Sequence, residues 1–127
     1  MDRIRSISFY LGVALLFTHE LDSMSNHEWR VLPILSALPD SAGQRVFLLA
    51  HVPIFAVVIA LVASLKHDVR TIARNTVCAF LVFHGLLHYL FSGHPAYEFS
   101  SLDSSLLIYA AAVCGLTYVL LYKGEHP

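Results

Sequence analysis

Apolar residues along the chain gather into four runs, Ile7 to Met24, Val46 to Leu65, Asn75 to Ser92 and Leu102 to Tyr122, separated by stretches that hold most of the charge. Each run has about 20 residues, the length at which a helix crosses a hydrocarbon core. Between Arg45 and Lys66 only His51 and Ser64 are clearly polar. A helix of a soluble bundle would instead carry a polar stripe along its length, so lipid is the expected solvent. The pattern predicts an all-α, integral membrane four-helix bundle, one transmembrane domain over residues 1–127. A composition of 57% hydrophobic and 13% charged residues agrees, leaving too little polar side chain to cover a soluble domain.

Charge fixes the expected orientation. With the N-terminus in the cytoplasm, Arg3, Arg5, Lys66, Arg70, Arg74 and Lys123 fall inside, and only Arg30 and Arg45 fall outside. That bias follows the positive-inside rule and puts both termini in the cytoplasm of a bacterial inner membrane. Arg3 and Arg5 before an apolar run imitate a signal peptide, but no A-x-A cleavage site follows, so a retained first helix is expected. The basic turn after helix two is assigned to topology and to anionic lipid head groups, with the bilayer as partner and no nucleic acid. A homo-oligomer or a partner membrane subunit stays open.

Against this apolar background the histidines stand out. His84 and His88 lie one helical turn apart in the third run, where an ionisable side chain needs a partner, a metal or a wet cavity. Gly85 beside them leaves room for a close neighbour. The first run ends in Thr18-His19-Glu20-Leu21-Asp22-Ser23, with His19, Asp22 and Ser23 on one helical face and Glu20 turned away. At 1.5 Å per residue His19 is expected roughly 7 Å, and His51 roughly 9 Å, below the outer helix ends, level with His88. Pro53 follows His51 and predicts a kink there.

The outer connector, residues 25–45, is long for a helical hairpin. His27-Glu28-Trp29-Arg30 leads into Val31, Leu32, Ile34, Leu35 and Leu38, broken by Pro33 and Pro39. This suits an amphipathic piece lying in the interface and able to lid an outward-facing site, with Trp29 at head-group level. Asp40-Ser41-Ala42-Gly43 supplies turn and capping residues for the second helix. Cys78 and Cys114 show no C-x-x-C or Cys/His spacing and read as packed thiols.

Histidines from three helices at similar depth point to a metal, zinc or another divalent ion. An i, i+4 pair binds from one helix face, and a third ligand leaves a position for water. The candidate ligands are His84, His88, His51 and His19, with Asp22 and His27 as further donors. Asp22 and Glu20 are the candidate catalytic acids, to orient a ligand or accept a proton from metal-bound water. Metal-dependent hydrolysis of a lipid or amide is the leading activity this suggests.

The His84–His88 pair, with His51, Asp22 and Ser23, resembles the zinc site of the alkaline ceramidase and adiponectin receptor superfamily of membrane hydrolases, although those proteins have seven helices. The resemblance implies zinc and amide or ester hydrolysis. The layout, with His19 to Asp22 closing helix one and His27 to Arg30 after it, is similar to small uncharacterised bacterial four-helix membrane proteins carrying H-E-x-D and H-E-W-R elements. That likeness implies topology, not reaction. The HXXEE-domain membrane proteins are similar in outline, but Asp22-Ser23 stands where they have paired glutamates.

Two other classes fit the same residues. In a haem-binding, cytochrome b-like electron carrier, His51 would face His84 or His88 across the macrocycle as axial ligands. In a non-catalytic membrane subunit the histidines would only hydrogen-bond between helices.

Overall fold

The computed structural model describes residues 2–121. Helix α1 covers Asp2–Ser25, α2 Asp40–Val62, α3 His67–Phe91 and α4 Leu102–Leu120, with 3-10 turns at Glu28–Arg30 and Leu35–Ala37 in the connector. Among the described residues there is no strand, and the all-α four-helix reading holds. Tyr122, which closes the fourth apolar run, and Lys123 lie outside the described residues.

Three helices begin earlier than the apolar runs, because an apolar window marks what hydrocarbon tolerates and not where hydrogen bonding starts. α1 starts near Asp2 rather than Ile7, and the guanidinium of Arg5 lies over the Tyr118 ring at 4.4 Å while donating to its hydroxyl at 3.1 Å. This contact joins the start of α1 to the end of α4. α2 starts at Asp40, an acid in the first turn where the helix dipole favours one. The basic stretch expected as a loop forms the first two turns of α3 instead. There Arg70 donates to the carbonyl of Ser64 at 2.7 Å and Arg74 to that of Val62 at 3.3 Å. Both bonds satisfy carbonyls that the end of α2 leaves without an intrahelical donor.

The core lies where α4 packs against both α1 and α3. Leu16, Leu81 and Ala111 fill its middle, and Phe9, Cys78 and Tyr118 fill the end nearer the chain termini. Both cysteines are free thiols, Cys78 fully buried and Cys114 partly so. Backbones approach closely at two glycines. A Cβ on Gly85 would come within 2.8 Å of Ala112, and one on Gly115 would strike the Cys78 carbonyl and lie 2.9 Å from Leu81 Cβ. The room that Gly85 leaves is thus taken by α4.

α2 stands apart from this core. It buries only Gly43 and Phe47, both near its start, and it runs through Pro53 without a break. Leu49, Val52 and Val57 are 63%, 68% and 57% exposed. Two of the four helices, α2 and α4, are long and apolar enough to cross a membrane. α1 and α3 were expected to be spans as well. They are long enough, but the ionisable residues they carry make them more polar.

Filling the α3–α4 contact tests this packing. Gly115→Ala is expected to destabilise the fold by about 1–3 kcal/mol through overpacking against backbone, read as a lower midpoint of thermal unfolding in detergent, while Gly93→Ala, whose Cβ meets nothing within 4 Å, leaves the midpoint unchanged.

Candidate metal centre

One helix end, one helix face and the connector supply the site. His19 comes from the last turns of α1, and His84 and His88 come from successive turns of α3. The three imidazoles meet edge to face, with ring centroids 4.9 Å apart for His19–His84, 4.8 Å for His19–His88 and 4.6 Å for His84–His88. His19 is fully buried, and His84 and His88 are 9% and 5% exposed. Glu28 completes the group. One donor atom from each of His19, Glu28, His84 and His88 lies within 4.8 Å of every other.

The backbone explains how Glu28 reaches this position. After α1 ends, His27 adopts φ 50°, ψ 45°, a left-handed conformation that costs a non-glycine residue about 1–2 kcal/mol. The reversal aims the next side chain inward. Glu28 Oε2 then lies 3.7 Å from His19 Nε2, and Oε1 lies 3.6 Å from His88 Nε2. Burial pushes the Glu28 carboxyl up, but the side chains of His88 and Ser23 and the imidazole of His19 outweigh it, so Glu28 titrates below the ordinary carboxylate range. The site therefore presents an anionic oxygen beside three nitrogen donors.

Surrounding bonds orient these rings. Ser23 Oγ is 3.2 Å from His19 Nε2, and Tyr97 Oη is 3.1 Å from His88 Nδ1. Phe99 packs on both His19 and His88, with centroids at 5.4 and 4.8 Å. Three buried atoms of the group, His19 Nδ1, His84 Nε2 and Glu28 Oε2, have no hydrogen-bond partner. A buried polar atom left so costs about 1–3 kcal/mol. Such atoms are rare in folded proteins, and three in one cluster mark a place where a cation fits.

The connector is fastened at both ends of Glu28. His27 Nδ1 meets Glu98 Oε2 at 2.8 Å. Trp29 Nε1 donates to Asp40 Oδ1 at 2.9 Å, and Arg30 grips the same carboxylate with Nε at 2.7 Å and Nη2 at 3.0 Å. Trp29 is 1% exposed and packs against α2, where a Cβ on Gly43 would come within 3.1 Å of Trp29 Cδ1. Trp29 is thus anchored in the fold.

The other expected site residues are placed differently. His51 meets Glu20 at 2.9 Å through Nε2 and donates from Nδ1 to the carbonyl of Phe47 at 2.7 Å, so it stands apart from the four-residue group. Turned away from His19, Glu20 faces α2, where its carboxylate meets His51. His27 faces Glu98, outside the group. One carboxylate oxygen of Asp22 is buried without a hydrogen-bond partner, but Asp22 neither joins the group nor lines the cleft beside it. That cleft, of about 380 Å³, lies between α2 and α3 and is lined by Glu20, Glu28, His51, His84 and His88 among apolar residues.

A family profile matches residues 5–125. The chain belongs to DUF6713, a family of unknown function. No curated protein and no solved structure matches it. Membership of DUF6713 agrees with the expected likeness to an uncharacterised family, and what the site does has to be argued from its own geometry. Glu28 is the residue that sequence reasoning missed. The sequence offers His27 as the donor from this stretch, because nothing in a His-Glu pair announces a left-handed turn.

Gly43→Val tests how the connector holds Glu28. The added side chain displaces Trp29, the only tryptophan in the chain. The expected outcome is red-shifted tryptophan emission together with metal affinity weakened roughly 10–100-fold, the scale of lost supporting contacts.

Proposed function

We propose that this protein is an integral membrane metalloprotein in which His19, His84, His88 and Glu28 hold one divalent ion, and that the ion acts on a polar group entering the adjacent cleft. The observation that carries the reading is the convergence of four donor groups, three with unsatisfied atoms, of which Glu28, His84 and His88 line that cleft and His19 lies behind them. Three imidazoles and a carboxylate suit zinc and its first-row neighbours. The membrane half rests on the apolar, exposed surface of α2 and on α4, because a face of that size on a soluble chain invites aggregation. The bias of basic residues supports an orientation with both termini in the cytoplasm and the metal site toward the outer side of a bacterial inner membrane.

Hydrolysis of an amide or ester is the activity this arrangement serves best. His19, His84, His88 and Glu28 would hold the ion, which when bound would supply Lewis-acid polarisation for a carbonyl and a water in the cleft. The water oxygen bonds to the carbonyl carbon, and its proton passes to the Glu20–His51 pair, which lines the same cleft. As the C–N or C–O bond breaks, the pair returns that proton to the leaving amine or alcohol. Glu20 takes the acid–base role in preference to Asp22 because Glu20 borders the cleft. Haem finds less support, since His51 is engaged by Glu20 and by the Phe47 carbonyl instead of opposing His84 or His88.

Elemental analysis and an absorbance spectrum of detergent-purified protein test the metal reading. About one zinc or other first-row ion per chain is expected, lost in His84→Ala/His88→Ala and weakened in Glu28→Gln by 10-fold or more, on the order of 1.4 kcal/mol. Absence of metal from wild type purified without chelator, or a Soret band, would overturn it. For the orientation, a C-terminal fluorescent-protein fusion is expected to be bright and a C-terminal alkaline phosphatase fusion inactive; the reverse contradicts it.

A further inference from the structure

The seam between α2 and α3 is more open than the packing of α4 against α1 and α3. From Leu48 onward α2 buries no residue, although nearly all of it is apolar. The cleft at the metal centre is followed along the same seam by a second one of about 320 Å³. On α2 the two are lined by Val46, Ala50, Ile54, Val58 and Val62, a row at strict four-residue spacing. Such a row forms one ridge along a helix. On α3 they are lined by Val69, Ala73, Val77, Phe80, His84 and Leu87, again one face, and that face carries a metal-centre histidine.

The lining is also polarised along its length. Glu28, His84, His88 and the Glu20–His51 pair gather at the outer end, and in the lower cleft Thr76 is the only polar residue. Val46 to Val62 spans sixteen helical steps, about 24 Å, which lies within a hydrocarbon core of about 30 Å. Each cleft is near the lower limit of small-molecule sites, about 300 Å³, so the seam has room for one chain side by side with the helices and not for two.

We propose that this groove binds the single hydrocarbon chain of an amphiphile, the chain lying along the α2 and α3 rows and a carbonyl head group reaching the His/Glu centre. This rests on the hydrolytic reading above and names its substrate class, a single-chain fatty amide or ester. A polar metabolite from outside would leave the apolar rows without a role. A packing helix from a second copy would need a wide face, whereas the groove is one ridge deep and ends at the metal ligands. Entry is sideways from the bilayer, between α2 and α3.

The test is a titration of purified, metal-loaded protein with dansyl-labelled undecanoic acid, followed by displacement with oleoyl ethanolamide. Expected is one saturable site per chain. Binding is expected to weaken roughly tenfold or more in Ala50→Trp, which fills the upper groove, and in Ala73→Trp, which fills the lower. Leu49→Trp, on the exposed face of α2, is expected to bind as wild type. Metal content is measured on every variant and is expected to stay at the wild-type level, which also reports that each has folded. Equal probe affinity in the groove variants and Leu49→Trp, or no saturable binding by wild type, overturns the proposal. Groove-dependent binding by a protein that carries no metal would support the groove while refuting the metal reading, so the two fail separately.

Discussion

A carboxylate is placed among three buried imidazoles, and most of the outer half of this protein follows from that placement. An ionised acid in such surroundings has to be compensated by opposite charge and hydrogen bonds or it is not retained. Around Glu28 the compensation comes from α1, through His19 and Ser23, and from α3, through His88. Holding the acid there needs a left-handed residue before it and an anchored tryptophan after it. Asp40 at the start of α2 and Glu98 in the last outer loop fasten those neighbours in turn. The connector is therefore part of the site, and the two helices that supply the histidines meet because α4 packs against both.

The same arrangement accounts for the loose position of α2. Its start is tied down by Phe47, Gly43 and the Asp40 contacts, and its end by the two arginines of α3. Between them the helix faces α3 across open space instead of interdigitating with it. A soluble protein would close such a seam, since apolar contact drives burial in water. Lipid removes that drive, because hydrocarbon solvates leucine and valine as well as another helix does. In the membrane setting proposed above, an apolar groove leading to the candidate metal centre is stable.

Much of this was legible in the sequence, for reasons that can be named. The four helices followed from the lengths of the apolar runs, and the His84–His88 pair from its helical spacing against an apolar background. His19 was legible because it closed a helix next to two acids. Helix starts were not, since the charged turns of α1 and α3 are held by Arg5 on Tyr118 and by Arg70 and Arg74 on carbonyls of α2. Those are tertiary contacts that local composition does not encode. His51 was matched to the centre by depth alone, but depth does not fix rotation about the helix axis, and its face belongs to Glu20. Glu28 was hidden by the left-handed conformation of His27, a backbone region in which non-glycine residues are uncommon.

The central claim is that His19, His84, His88 and Glu28 together bind one ion. X-ray absorption at the zinc edge, on purified protein carrying one equivalent of zinc, tests it most directly. The account predicts nitrogen and oxygen neighbours alone at about 2.0–2.2 Å, with outer-shell scattering from three imidazoles. Sulfur at about 2.3 Å, which would implicate Cys78 or Cys114, or scattering from fewer than two imidazoles, would contradict it.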